Sequence, residues 1–412
     1  MADSKKQVLN RREFIKRGAL AGLGVGLIPI ANASAAIAPS PQVRRYSTLG
    51  RTGLKISDIS FGGSRLTAGQ EDIVLHAYEC GINYFDTAET YSGGESETTI
   101  GNALRGKRDK IFLTSKIITS ADDRRDTMMT ALEGSLRRLQ TDHVDIYFNH
   151  AVNDVARLKN PEWLEFTADA RKQGKIRFVG MSGHAGHLIE CLDYAIDTNG
   201  IDVFLAAHNF GQDPRFYQRF FSGFDFVARQ PDLPRVIDKA KQKNVGVVVM
   251  KTLMGARLND MRPYEQGNAT FSQAAFRWVL SNPNVDALIV SMTSREMIDE
   301  YLGASGWHTA AVGDMPLLRR YAQMNGTSFC RHACNACESS CPNDVPIADI
   351  MRARMYAKDY GDMRLARSEY AMLERNAEAC LSCTAKPCAG ACPHGVQVDA
   401  LTAPTHRMLT SV

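Results

Sequence analysis

Beyond its first forty residues the sequence has no apolar run of the ~20 residues that a membrane-spanning helix needs. It has no basic field either. Of 49 Lys and Arg and 45 Asp and Glu, six basic and two acidic residues lie in 1–38, which leaves 43 of each for the rest. A formally neutral body excludes nucleic acid as a partner. At 44% hydrophobic and 23% charged, the 412 residues have no compositional extreme, so a disordered or collagen-like chain is excluded. Ten cysteines are too dilute for a disulfide-built miniprotein, yet eight of them fall between Cys330 and Cys392. No G-x-G-x-x-G follows the first strand-like run, which argues against an open dinucleotide-binding sheet.

What the first 38 residues do contain reads as an address. Asn10-Arg11-Arg12-Glu13-Phe14-Ile15-Lys16 precedes a weakly hydrophobic, Gly-rich run from Gly18 to Ile30. Ala31-Asn32-Ala33 and Ala36-Ile37-Ala38 fit small-residue cleavage sites. The paired arginines resemble the twin-arginine export signal, which implies a folded passenger, the twin-arginine translocase as a transient partner and a periplasmic destination. A short membrane anchor is the alternative.

From Ile56 onwards, short apolar runs alternate with amphipathic stretches. The runs are Ile56–Gly62, Asn83–Asp86, Ile111–Lys116, Val144–His150, Ile176–Met181, Val203–His208, Gly246–Lys251 and Ala287–Ser291. Helical patterns fall near 70–80, 95–106, 123–139, 161–173, 185–198, 233–244, 270–282 and 294–303. Such alternation predicts parallel βα units. Eight of them over about 250 residues predict an α/β fold, a closed (β/α)8 TIM barrel, with an open doubly wound sheet as the alternative.

In that fold the C-terminal strand ends form the reactive face. Asp86, Lys116, His150, Ser182, His208, Asn209 and Lys251 stand there. Tyr91 is suited to give a proton to a carbonyl oxygen or take one from an alcohol, though its ordinary pKa near ~10 is high for the task. Lys116 is expected to lower it, Asp86 to hold that lysine, and His150 to polarise the same oxygen. A hydride partner would make this proton-transfer site an oxidoreductase.

Asp86-Thr87-Ala88-Glu89-Thr90-Tyr91-Ser92-Gly93-Gly94-Glu95-Ser96-Glu97 resembles the aldo-keto reductase signature, followed by Thr114-Ser115-Lys116 and Val144-Asp145-Ile146-Tyr147-Phe148-Asn149-His150. Leu49-Gly50-Arg51-Thr52-Gly53-Leu54 resembles that family's entry hairpin. The resemblance covers roughly 45–303. It implies a (β/α)8 barrel, the tetrad Asp86, Tyr91, Lys116 and His150, and hydride transfer between NADP(H) or NAD(H) and a carbonyl or alcohol.

The cofactor positions depart from the family pattern. Gly180-Met181-Ser182-Gly183-His184 keeps only the serine of a Ser-Asn pair, Leu205 stands where a Gln is usual, and Met250 where an aromatic often stacks. Ser291-Met292-Thr293-Ser294-Arg295 lacks the usual lysine. The expected cofactor-binding set is therefore Ser182, Asn209, Met250, Lys251, Ser291, Thr293 and Arg295, with Arg295 or Lys251 meeting a phosphate. The altered grip leaves room for a flavin.

Residues 313–412 read as a second module after a 45–312 barrel. Cys330-x3-Cys334-x2-Cys337-x3-Cys341-Pro and Cys380-x2-Cys383-x4-Cys388-x3-Cys392-Pro resemble the bacterial two-cluster ferredoxin pattern, each spacing looser by one or two residues. Ile347/Ile350/Met351 and Ala366/Tyr370/Leu373 fall at helical intervals between the runs. The resemblance is to an α-helical ferredoxin-like iron–sulfur domain with two 4Fe–4S clusters, each taking three cysteines from one run and the last cysteine of the other, so that Cys341 and Cys392 swap. Two zinc sites and disulfides are the alternatives. Cys80 and Cys191 fall in helical patterns and read as packing thiols.

Together the modules predict an exported iron–sulfur oxidoreductase acting on a small carbonyl or alcohol substrate, a sugar among the candidates. A nicotinamide cofactor would be loaded before export and retained. The clusters would serve an external redox partner protein or quinone-linked carrier. The competing expectation is a non-catalytic electron carrier that uses the barrel for docking. The segment Gln212–Pro234, with Arg215, Phe216, Phe220, Phe221, Phe224 and Phe226, would line the mouth or dock the second module.

Overall fold

The computed structural model describes residues 41–211, 232–255, 259–265, 269–307, 309, 311 and 313–411. The export signal, and all but the last three residues of Gln212–Pro234, lie outside the described residues. Two antiparallel strands come first, β1 (Tyr46–Thr48) and β2 (Lys55–Ser57), with Tyr46 opposite Ser57. Leu49, Leu54 and Ile56 of this hairpin join Tyr84, Ile146, Phe148 and Val248 in one buried cluster inside the barrel. Gly50 has φ +43°, and a Cβ on it would lie 2.3 Å from the Gly246 nitrogen, so the plug seats only with glycine there.

Eight parallel strands follow: β3 (Ile59–Gly62), β4 (Tyr84–Asp86), β5 (Phe112–Ile117), β6 (Val144–Asn149), β7 (Ile176–Gly183), β8 (Val203–Ala207), β9 (Gly246–Met250) and β10 (Ala287–Ser291). Each pairs with the next, and β10 closes on β3 with Leu288 opposite Ile59. The expected strand Ile56–Gly62 is in fact two strands broken at Asp58. That buried carboxylate accepts from the Ile59 nitrogen at 3.0 Å, Ser305 Oγ at 2.6 Å and the Gly306 nitrogen at 2.7 Å, which turns the chain from plug into wall.

Helices cover the outer face as the sequence periodicity predicts. In α1 to α3 (Glu71–Glu79, Glu95–Ala103 and Arg125–Leu139) the third is typical: Met128, Leu132, Leu136 and Leu139 form a buried stripe at helical spacing. A short α4 (Val155–Lys159) precedes α5 (Pro161–Lys172), where Asn160 caps the Glu162 nitrogen and proline opens the first turn. The remaining barrel helices are α6 (Leu188–Asp197), α7 (Asp232–Gln242), α8 (Phe271–Leu280) and α9 (Arg295–Leu302). No helix among the described residues is long and apolar enough to cross a membrane.

The last hundred residues are helical: α10 (Asp314–Asn325), α11 (Ile347–Lys358), α12 (Met363–Ala371) and α13 (Val398–Thr410). Leu318, Tyr321, Phe329, Ile350 and Tyr370 share a second core with Phe210, Met254 and Phe271 of the barrel segments, and Phe271 stacks on Tyr321 at 4.3 Å. This shared core fixes the module to the barrel. Arg277 of α8 grips Asp314 at the start of α10 through two buried bonds of 2.7 and 2.5 Å. Removing one partner of such a pair strands a buried charge. Asp314→Ala should therefore lower unfolding free energy by about 3–5 kcal/mol in urea titrations, with Asp314→Asn losing less.

Candidate active site

The ends of β4, β5 and β6 bring four side chains together. Lys116 Nζ donates to Asp86 Oδ2 at 2.6 Å and to the Thr87 carbonyl at 2.7 Å, and stands 3.4 Å from Tyr91 Oη. Three acceptors match the three donors of an ammonium, so the buried pair is held as ions although burial pushes Asp86 up and Lys116 down. Lys116 Nζ also lies 4.7 Å over the Tyr91 ring, and His150 meets that ring edge-on at 5.5 Å. Gly94, at φ +93°, makes the tight turn that carries the chain from Tyr91 into α2. Arg157 clamps the end of β6 by donating to the His150 carbonyl at 2.7 Å and Asn149 Oδ1 at 2.8 Å.

The expected lowering of Tyr91 by Lys116 does not occur. Burial, then the charges of Asp86 and Glu369, hold the phenol well above its ordinary value. The lysine charge is already matched by Asp86. Burial, with Lys116, Arg157 and Lys251 adding, pushes His150 well below the ordinary imidazole value, so it stands neutral. The site at rest is an acid: a protonated tyrosine beside a neutral histidine.

Tyr91 and His150 line a cavity of about 210 Å³. Its floor is the barrel mouth. Its other wall is the C-terminal module, through Tyr356, Tyr360, Asp362, Leu365 and Glu369. Lys251 Nζ donates to Tyr356 Oη at 3.1 Å, and that hydroxyl lies 3.1 Å from His184 Nε2. Further bonds fasten the roof: Asn153 Nδ2 to Asp349 Oδ2 at 3.1 Å, and the Ala333 nitrogen to the His184 carbonyl at 3.1 Å.

A family model described as "Aldo/keto reductase family" matches residues 58–268, a little over half of the chain. The chain belongs to the aldo/keto reductase family. It is an oxidoreductase by that membership, and its floor brings Asp86, Tyr91, Lys116 and His150 together. It is 25% identical to an L-galactose dehydrogenase from Arabidopsis thaliana over 295 residues, 62% of this chain and 86% of that protein. It is 24% identical to the uncharacterized oxidoreductase YqkF of Bacillus subtilis over 286 residues, 63% of this chain and 91% of that one. A Klebsiella pneumoniae aldo-keto reductase solved in complex with NADPH shares the fold at a TM-score of 0.51 and 23% identity, covering 68% of this chain and 95% of its own.

Of the residues expected to hold a dinucleotide in this aldo/keto reductase, Met250, Lys251, Ser291 and Thr293 line the cavity. Lys251 lies there because a left-handed backbone, φ +57°, turns the chain out of β9. Leu205, Met250 and Ile289 add an apolar patch beside them that suits the face of a flat ring. Three expected residues are engaged elsewhere. Ser182 Oγ accepts from the Ala151 nitrogen at 3.0 Å. Asn209 donates to the Lys251 carbonyl at 3.1 Å and accepts from Gly211, so it shapes the turn after β8. Arg295 faces the exposed rim and pairs with Asp72 at 3.3 Å. His184, Tyr356, Tyr360 and Glu369 were not expected at all. Their only signal in the sequence is the position of His184 at a strand end.

The eight module cysteines fall into two groups that cross the sequence runs. Burial pushes Cys330 up to about 11, with Cys334 and Cys392 adding, and Cys337 up to about 12, with Cys330, Cys392 and Cys334 adding. Burial raises Cys380, with Cys341 and Cys383 adding, and raises Cys388, with Cys380 and Cys341 contributing. Cys341, Cys380, Cys383 and Cys388 surround a second cavity of about 290 Å³. None of the ten cysteines is disulfide-bonded. Among the described residues, the set of three or more ligating atoms within 4.8 Å of one another is His76, Cys80 and Asp299, so no three module thiols come that close. Cys80 and Cys191 are buried, as packing thiols would be.

Proposed function

We propose that this enzyme is exported by the twin-arginine route and interconverts a carbonyl and an alcohol in the periplasm, with two 4Fe–4S clusters in its C-terminal module exchanging the electrons. Tyr91 gives the proton to the carbonyl oxygen in reduction and recovers it in oxidation, and His150 shares that oxygen. A nicotinamide, or a flavin in its place, would supply the hydride chemistry, and Met250, Ser291 and Thr293, which line the cavity, would hold it, while Lys251, expected among them, bonds Tyr356 instead. The sites Cys330/Cys334/Cys337/Cys392 and Cys341/Cys380/Cys383/Cys388 would each hold a cluster carrying one electron, the pair matching the two electrons of a hydride. The terminal partner is a redox protein or quinone-linked carrier outside the cytoplasm, and the substrate a small hydroxylated carbonyl.

One observation carries the coupling. Helix α11 places Tyr356 in the tetrad's cavity and, one turn earlier, Arg352 on the first thiol site. Arg352 donates to the Cys330 carbonyl at 3.4 Å and to that of Arg331 at 3.3 Å. Four residues of helix rise ~6 Å, so one helix backs both the cavity and the first thiol site. The test is anaerobic purification of the full chain followed by iron and sulfide analysis, mass spectrometry of retained nucleotide, and addition of NADPH. About eight irons per chain and bleaching of the cluster absorbance by NADPH are expected; iron with no response to NADPH would sink the coupling.

A further inference from the structure

Tyr356 keeps in the roof the company that Tyr91 keeps in the floor. Lys251 Nζ is 3.1 Å from Tyr356 Oη and 4.7 Å over its ring centroid; Lys116 Nζ is 3.4 Å from Tyr91 Oη and likewise 4.7 Å over its ring. His184 meets Tyr356 edge-on at 6.1 Å, as His150 meets Tyr91 at 5.5 Å. All six side chains except Lys116 line the one cavity. Lysine and tyrosine here come from different modules, so the second trio exists only because the cysteine module is docked. It is not a repeat of the family's own site.

The direction of the bonds follows from the donors available. Lys251 donates to the Tyr356 oxygen, which leaves the hydroxyl hydrogen for His184 Nε2 and puts a proton on His184 Nδ1. The Nδ1 atoms of His184 and His150 are buried and have no hydrogen-bond partner in the protein. Lys251 and Tyr356 both line the cavity, so the further donors of the ammonium and the second lone pair of the hydroxyl are left for a bound oxygen on the roof side, opposite Tyr91. The two tyrosines are close enough that a charge on Tyr91 would raise Tyr356. Burial, with Arg352 adding, brings Lys251 down to about 7, so it can give or share a proton near neutrality. Glu369 supplies an acceptor on the same wall.

We propose that Tyr356, Lys251 and His184 form a second oxygen-binding station that takes the hydroxyl next to the reacting carbonyl, which makes α-hydroxy aldehydes and ketones, and the matching vicinal diols, the preferred substrates. The proposal rests on the carbonyl–alcohol reading above and names its substrate class. A simple carbonyl satisfies the floor and leaves the roof unpaired. A vicinally oxygenated one satisfies both.

The experiment compares glyceraldehyde with propanal, which differ in the hydroxyls alone. The ratio of their kcat/KM values with NADPH should favour glyceraldehyde in the wild type and fall about ten-fold in Tyr356→Phe, the loss of one hydrogen bond to a substrate hydroxyl. Lys251→Met should move the ratio the same way. A ratio unchanged in both variants, with the two aldehydes losing rate equally, would reduce the trio to a mere wall. Saturation-transfer NMR with glyceraldehyde reads binding without turnover and should weaken in Tyr356→Phe. If the wild type turns over neither aldehyde, the oxidoreductase reading suffers, while an NMR signal equal in wild type and variant overturns the second station by itself.

Discussion

Replacing Tyr91 by phenylalanine should lower kcat for carbonyl reduction by about 10²–10⁴-fold while leaving the fold intact. The phenol is the proton donor nearest the reacting position, and Phe keeps the ring that Lys116 and His150 pack against. The pH dependence distinguishes the two directions. Because burial and the Asp86 charge hold Tyr91 well above its usual value, the acid form is present across the neutral range, and the donor needs no activation for reduction. Oxidation must remove that proton, so its rate should climb with pH and reach no plateau below about pH 10. His150 adds no acid limb near neutrality, since burial and three nearby cations keep it uncharged. Stopped-flow rates in both directions from wild type and variant check this. A Tyr91→Phe enzyme with wild-type reduction rates would overturn this role for Tyr91.

The barrel was legible because its walls are short apolar runs set apart by amphipathic helices, a pattern that survives with no knowledge of tertiary contacts. Ile56–Gly62 misled for a physical reason: the apolar period runs on through Ser57-Asp58, and only the distant Ser305 and Gly306 reveal that Asp58 is buried and breaks the strand. The tetrad was legible because Asp86 and Tyr91 share one short loop and Lys116 and His150 end the next two strands. Its electrostatics were not, since burial outweighs the lysine and no sequence rule carries depth. Ser182, Asn209 and Arg295 stand near the expected places but spend their polar atoms on Ala151, Lys251 and Asp72. The roof was hidden more thoroughly. Tyr356 and Glu369 sit on helices whose apolar stripes announce packing, and nothing local says that the surface they pack against is the mouth of a barrel a hundred residues earlier. The expected periplasmic address rests on residues outside the described region.

With the two clusters proposed above in place, exchanging Cys392 for serine should empty the site formed by the other run. Read along the chain, Cys392 closes the set that begins at Cys380, and a local loop would lose its own metal. The thiol neighbours say otherwise: Cys392 acts on Cys330 and Cys337, while Cys341 acts on Cys380 and Cys388. Cys341 also lines the same cavity as Cys380, Cys383 and Cys388. A cluster deprived of one of four thiolates loses stability far more than one whose ligands are whole, so Cys392→Ser should cost about four irons, those of the site beside Arg352 and the tetrad cavity. Cys341→Ser should cost the remote four. The two variants would then separate by function as well as by metal content. Cys392→Ser should break electron flow at the cavity wall, so that NADPH bleaches little of the remaining absorbance. Cys341→Ser should still be bleached but should fail to pass electrons to an added acceptor. Iron analysis, EPR of the reduced variants and acceptor-linked turnover decide it together. If Cys392→Ser instead disturbs the site of Cys380, Cys383 and Cys388, each run binds its own cluster and the crossed arrangement is wrong.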